Sequence, residues 1–404
     1  MNSAVVGDSA RKLQETPMRD SNGVNDIAAK SSGGDGRHKK KSRNNKYMPK
    51  FGCFRVENEK EGSFDIRVDR IGEPSNPNHL VVMVNGIIGS ATDWKYGAKQ
   101  LLRKYPRDIV VHCSKVNTRM LTLHGVDVMG CRLAEEVISV RQSYPSVQKI
   151  SFVGHSLGGV IARYAIAKLY KRGTRKEISQ GNGERKDDEF EETSPGKIAG
   201  LEPMNFITFA TPHLGSRWHK QVPVFCGFWS LESLVARLSG FLGRTGKHLF
   251  LADGRNGRPP LLLQMVADSE DLKFISALES FKRRVAYANV RFDYLVGWST
   301  SSLRHRTELP KRRHLSKDSK YPHIVHFDSS TVARTRNARV DGGKTTMEEE
   351  MLRGLTKVSW ERVDVYFKEG AQRFGSHNTI QVNGTCMNSE GADVIQHMVD
   401  NFLL

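Results

Sequence analysis

The segment Val147–Val153 reads as a strand and stops at Gly154-His-Ser-Leu-Gly158, with Gly159 next, and Ile161, Ala165 and Leu169 then recur at helical spacing. A strand that turns at once into a helix, with a serine at the bend, is the setting in which G-x-S-x-G carries chemistry. The bend holds the serine in a strained conformation, the glycines at 154 and 158 leave room for neighbouring backbone, and the hydroxyl stands beside the positive end of the helix.

The flanking sequence repeats this rhythm. Leu80–Val84 and Ile109–Cys113 are apolar runs, and residues 94–105 separate them with a helical pattern. Val126, Met129, Leu133, Val137 and Val140 mark an amphipathic helix over 126–142. Strand segments resume at Asn205–Ala210, Val285–Val290 and Val363–Phe367, and a helix with Ile395, Met398, Val399 and Phe402 on one face ends the chain. Strands alternating with helices predict an α/β domain with a mostly parallel sheet wrapped on both faces. Phe51–Val56 and Ser63–Val68 read as an antiparallel pair before it.

Four stretches depart from the pattern. Residues 1–50, with the basic cluster Arg37–Lys46, are too polar to bury a core and read as a disordered basic arm ahead of a domain over 51–404. Polar insertions are expected near 171–199 and 304–345. A cap is expected near 216–284, where Leu231, Leu234, Val235, Leu238, Phe241 and Leu242 share a helical face. That stripe suits core packing as well as a cap over the serine, and Leu234 and Leu238 are its candidate acyl-chain contacts.

A serine hydroxyl attacks only when a base takes its proton, and that base needs a carboxylate to orient it. In this architecture the acid and then the histidine follow the serine in the chain. Asp293 lies just past the strand Val285–Val290. Asp253 sits in an Asp-Gly turn, and Asp268 and Asp271 lie in a capping stretch. His377 lies between the last strand and the last helix. His305, His314, His323 and His326 belong to the polar insertion, and His397 is within the final helix. His213, in Ala-Thr-Pro-His-Leu-Gly, precedes the acid and is expected to line or brace the site. The oxyanion formed on attack needs preorganised N–H donors. Leu157 and Ile87, the latter in the loop Asn85-Gly86-Ile87-Ile88-Gly89, are the candidates.

The segments VNGIIGSATDW, LHGVDVMGCRLAEEV, FVGHSLGGVIARYAI, FATPHLGS, GKHLFLADG and GSHN resemble the plant and fungal lipase-like serine esterases, within the α/β-hydrolase superfamily. The likeness runs from about Leu80 to the end, outside the two polar insertions. It implies an α/β-hydrolase fold with an inserted helical cap, a Ser156–Asp293–His377 triad and activity on acylglycerols or phospholipids. Many α/β-hydrolases carry His-Gly where this chain has Asn85-Gly86, which leaves the loop's hydrogen bonding to be established. An acyltransferase and a catalytically silent membrane or protein adaptor are the rival functions.

Charge and cysteines bound the partners. The net charge of +18, from 62 Lys and Arg against 44 Asp and Glu, favours anionic partners such as a phospholipid surface. No aromatic residues interleave with the basic cluster, which argues against nucleic acid. Five dispersed cysteines read as reduced thiols and give no metal spacing, so neither a metal nor a cofactor is expected. Without a signal peptide or membrane span, the expected location is cytoplasmic, with peripheral contact to membranes or lipid droplets.

Overall fold

The computed structural model describes residues 54–57, 64–68, 76–172, 196–216, 241–255, 257–329 and 346–404. The 1–50 arm, most of the 171–199 insertion, and Leu234 and Leu238 lie outside these residues.

One nine-stranded sheet organises the described chain. Its strands are β1 (Phe54–Glu57), β2 (Phe64–Val68), β3 (His79–Val84), β4 (Ile109–Cys113), β5 (Lys149–His155), β6 (Glu202–Phe209), β7 (Arg283–Asn289), β8 (Ile324–Asp328) and β9 (Glu361–Val365). They lie in the order β1-β2-β4-β3-β5-β6-β7-β9-β8. The six from β4 to β9 run parallel, and β1, β2 and β8 add antiparallel pairings at the two edges. β5 therefore sits in the middle, and its carboxyl end opens where the neighbouring strands also end. In a parallel sheet that edge is where ligands are met.

The parallel strands need crossovers, and helices supply them on both faces. α1 (Lys95–Lys104) and the final helix pack on one side, α2 (Val126–Ser143) and α3 (Leu157–Leu169) on the other. Successive residues of β3 divide between the two layers. Leu80, Val82 and Val84 join the core under α2 and α3, while Val81 and Met83 join the core under α1. A strand that feeds two cores must be apolar at every position, which is why Leu80–Val84 shows no alternation. Burying each such side chain contributes roughly 1.5–3 kcal/mol. Trp94 closes the first crossover: it is fully buried, and its indole N–H donates to the carbonyl of Val84 at 3.0 Å.

Two outcomes differ from the sequence pattern. The strand before the serine runs to His155 rather than ending at Val153, so the bend follows β5 with no intervening residue. The stretch read as a polar insertion near 304–345 also contributes β8, an edge strand paired antiparallel with β9. Arg304 anchors its start, pairing both guanidinium-facing oxygens of the buried Asp364 at 2.8 Å. No described helix is long and apolar enough to cross a membrane.

Candidate active site

Ser156 sits between β5 and α3 at φ 52°, ψ −128°. A side-chain-bearing residue adopts that region at a cost of order 1–3 kcal/mol, and only when its surroundings impose it. Here its N–H donates to the carbonyl of Phe209 on β6 at 2.8 Å, and its carbonyl accepts from Gly159 at 3.2 Å. The glycines make the bend possible. A Cβ on Gly158 would lie 2.3 Å from the carbonyl oxygen of Val84, and one on Gly154 would lie 2.6 Å from the nitrogen of Gly159. Both obstacles are backbone, which cannot step aside.

His377 is the second residue of the short helix Ser376–Thr379, and its Nε2 lies 3.0 Å from Ser156 Oγ. Its Nδ1 lies 2.9 Å from Asp293 Oδ2. A carboxylate can only accept, so Nδ1 carries the proton and the neutral ring turns the Nε2 lone pair toward the serine hydroxyl. Residues 221 positions apart in sequence thus meet through one hydrogen bond.

Asp293 is almost fully buried and accepts four hydrogen bonds. Besides His377, they come from Asn289 Nδ2 at 2.9 Å, Leu295 N at 3.0 Å and Val296 N at 2.8 Å. Burial pushes its pKa up, but the His377 ring, the Asn289 amide and the Val296 N–H together outweigh burial and hold it below the usual carboxylate value. Asp293 is therefore an anion at neutral pH, able to stabilise an imidazolium on His377.

The loop after β3 passes directly against the serine: a Cβ on Gly86 would sit 3.0 Å from Ser156 Cβ. Leu157, the first residue of α3, has an N–H with no intrahelical acceptor. Neither this amide nor that of Ile87 has a hydrogen-bond partner among the described residues. Asn85, where many α/β-hydrolases have histidine, is buried and donates from Nδ2 to the carbonyls of Asn117 at 3.0 Å and Gly86 at 3.1 Å. The loop is thereby tied at its base.

His213 is in the core instead of at the site. It is fully buried, edge-on to Trp360 at 5.3 Å, with Nε2 3.0 Å from Thr208 Oγ1. Its carbonyl accepts from Arg163 Nη1 at 3.2 Å, and burial, followed by the Arg163 charge, drives its pKa well below the usual histidine value. A ring with no exposed surface braces the loop after β6 and does not line a substrate site.

Sequence reasoning missed two residues that hold the constellation together. His155 fills the variable position before the serine. Its Nε2 lies 2.6 Å from the carbonyl of His377, and the two rings are 4.7 Å apart. Burial, then the neighbouring His377 ring, pushes its pKa down to about 3, so at neutral pH its Nε2–H donates to that carbonyl. Asn289, the last residue of β7, donates both to Asp293 and to the carbonyl of Ser376 at 3.2 Å, joining the loop of Asp293 to that of His377. The signal for both was position alone, immediately before Ser156 and at the end of the strand leading to Asp293.

A parallel sheet in this order, with a serine at the bend after its central strand and a histidine and buried aspartate in hydrogen-bond sequence, defines an α/β-hydrolase of the serine-nucleophile type. Residues 74–303 match the family described as "Putative serine esterase (DUF676)". The match takes in more than half of the chain, and the chain belongs to that family.

Among curated proteins, the chain is 30% identical over 272 residues to "Putative lipase ROG1" of Saccharomyces cerevisiae, covering 65% of this chain and 34% of that one. It is 29% identical over 241 residues to "Putative lipase YDL109C" of the same yeast, covering 59% and 32% respectively. The chain thus spans about a third of the length of these relatives. Among solved structures, carboxyl esterase 2 of the mycorrhizal fungus Tuber melanosporum aligns over 86% of this chain and 90% of its own. The TM-score is 0.39 and the identity 9%.

Proposed function

We propose that this chain is a serine esterase that hydrolyses a carboxylic ester of a lipid through an acyl-enzyme, with Ser156, His377 and Asp293 as its triad. The observation that carries the reading is the unbroken relay from Asp293 Oδ2 through His377 to Ser156 Oγ, at 2.9 and 3.0 Å. As Ser156 Oγ bonds to the ester carbonyl carbon, its proton passes to His377 Nε2 and Asp293 stabilises the imidazolium. The Ile87 and Leu157 amides receive the charge that develops on the carbonyl oxygen. When the tetrahedral centre collapses, the carbon–oxygen bond to the alcohol breaks and that alcohol leaves with the proton from His377. Water then attacks the acyl-enzyme with His377 as base, releasing the acid and restoring Ser156.

A lipid substrate is supported by the names of the yeast relatives and by the rim of the site. Ile88, Met120, Leu121 and Leu295 are exposed, on the loops that follow β3, β4 and β7. Together with the charge of +18, they support peripheral contact with an anionic lipid surface. The test is a panel of monoacylglycerol, triacylglycerol, lysophospholipid and diacyl phospholipid in mixed micelles, followed by release of fatty acid. Wild type is expected to release acid from at least one class and Ser156→Ala from none. Lipid binding without turnover on any of them would instead support an adaptor.

A further inference from the structure

The loop that presents Ile87 does not hold its own shape. Ile88 stands at φ 55°, a region that a β-branched residue enters only under restraint. Its N–H is taken by the hydroxyl oxygen of Thr122 at 2.9 Å, a contact 34 positions away in the chain. The Thr122 hydroxyl proton is itself committed to the carbonyl of Arg119, so its oxygen faces Ile88 purely as an acceptor. Arg119, also at positive φ, donates its N–H to the carbonyl of Gly89 at 2.9 Å, and Gly89 N donates to Gly86 O at 3.2 Å. These bonds close a ring through Gly86, Gly89, Arg119, Thr122 and Ile88, and the ring lies against the serine at Gly86, where an added Cβ would sit 3.0 Å from Ser156 Cβ.

Thr122 is held from behind. It is fully buried, and its carbonyl accepts from Thr245 Oγ1 at 2.7 Å, on the helix Gly243–Leu249. Thr245 Oγ1 in turn accepts from Gly125 N at 3.0 Å, just before α2. The hydroxyl that fixes the loop is thus fastened to two elements outside it.

We propose that Thr122 is a positioning residue of the oxyanion hole, its hydroxyl fixing the Ile88 turn so that the Ile87 N–H points to where the carbonyl oxygen gains charge. The proposal rests on the esterase reading above. Thr122 touches no substrate, so its loss acts through the aim of the Ile87 amide. Removing a direct oxyanion donor costs about 10²–10³ in kcat; loosening one that remains in place is expected to cost less, about tenfold to thirtyfold.

The experiment compares Thr122→Val, Thr122→Ala and Thr122→Ser with wild type on a soluble short-chain ester. It measures kcat and KM separately, the inhibition constant of an alkyl trifluoromethyl ketone, and the melting temperature. The ketone forms a hemiketal oxyanion on Ser156, so its affinity reads the hole itself, which a purely structural role leaves unchanged. Val and Ala are expected to lose kcat and ketone affinity by the same factor with KM nearly unchanged, and Ser to keep both within about threefold. Should the Val variant fail to fold, the Ala–Ser pair carries the same contrast. Active wild type with unchanged ketone affinity in Val or Ala overturns the role of Thr122 alone. A folded wild type that neither turns over esters nor binds the ketone overturns the esterase reading, and this proposal with it.

Discussion

Replacing Asn289 with alanine removes one buried donor that serves two loops. The bond to the ionised Asp293 is charge-assisted, worth about 1.5–3 kcal/mol, and the longer one to the Ser376 carbonyl about 0.5–1.5 kcal/mol. Against this, Asn289 Oδ1 has no partner among the described residues, and deleting it relieves a desolvated carbonyl. Asp293 also keeps its bonds to His377, Leu295 and Val296. The net loss of stability is therefore expected near the low end, about 2 kcal/mol. On the proposed mechanism turnover suffers more than stability, because Ser376 directly precedes His377 and a 1 Å misplacement costs about 10²-fold. A fall in kcat of about tenfold to hundredfold is expected. With one donor fewer, Asp293 titrates at higher pH than in wild type. Urea unfolding and a pH series of ester turnover read these quantities. Stability within 0.5 kcal/mol and turnover within twofold of wild type, thresholds set at roughly the error of such measurements, would refute the clamp.

Further outcomes follow from the same geometry. Gly158→Ala forces a Cβ against the Val84 and Asn85 carbonyls, so loss of folded protein is expected, whereas Gly375→Ala meets only side-chain atoms beyond 3.6 Å and should be expressed normally; soluble yield and circular dichroism check both. Acid should unfold the protein early: burial holds the pKa values of His79 and His155 at about 3 and that of His213 well below normal. Unfolded, these rings take up protons below about pH 6.5, so the stability they contribute is complete above that pH and is lost as pH falls. Each accounts for up to about 1.4 kcal/mol per pH unit in that window, and a melting temperature constant from pH 7.5 to 4.5 would contradict it. His155→Phe keeps a flat aromatic ring but loses the donor to the His377 carbonyl. Turnover should fall, with partial recovery in His155→Gln, and equal activity in wild type and Phe would remove His155 from the site.

The parts of this account legible in the sequence are those encoded by neighbouring residues. The bend at Ser156 is written in one continuous stretch, Val147 through Gly159, and β3 shows its two-sided burial as an unbroken apolar run over Leu80–Val84. Asp293 and His377 are candidates from the sequence because each follows a strand at the edge where a parallel sheet carries its site, and the fold brings them within hydrogen-bond reach of one another, with His377 also in reach of Ser156. What escaped depends on contacts between distant segments. Nothing around Thr122 signals that its hydroxyl meets Ile88, and nothing near Asn289 signals Ser376, 87 positions on. β8 escaped because an edge strand need bury little; its Phe327 is exposed between the polar His326 and Asp328. His213 was misplaced for a related reason. Chain position put it next to a strand end, but only the fold shows that Trp360 and Arg163 enclose it.

The relay from Asp293 to Ser156 is tested most directly by a fluorophosphonate probe, with the labelled peptide identified by mass spectrometry. Wild type is expected to carry one adduct, on Ser156; His377→Gln should label far more slowly, and Ser156→Ala not at all. A folded wild type left unmodified, or one labelled at a different serine, would contradict the account at its root.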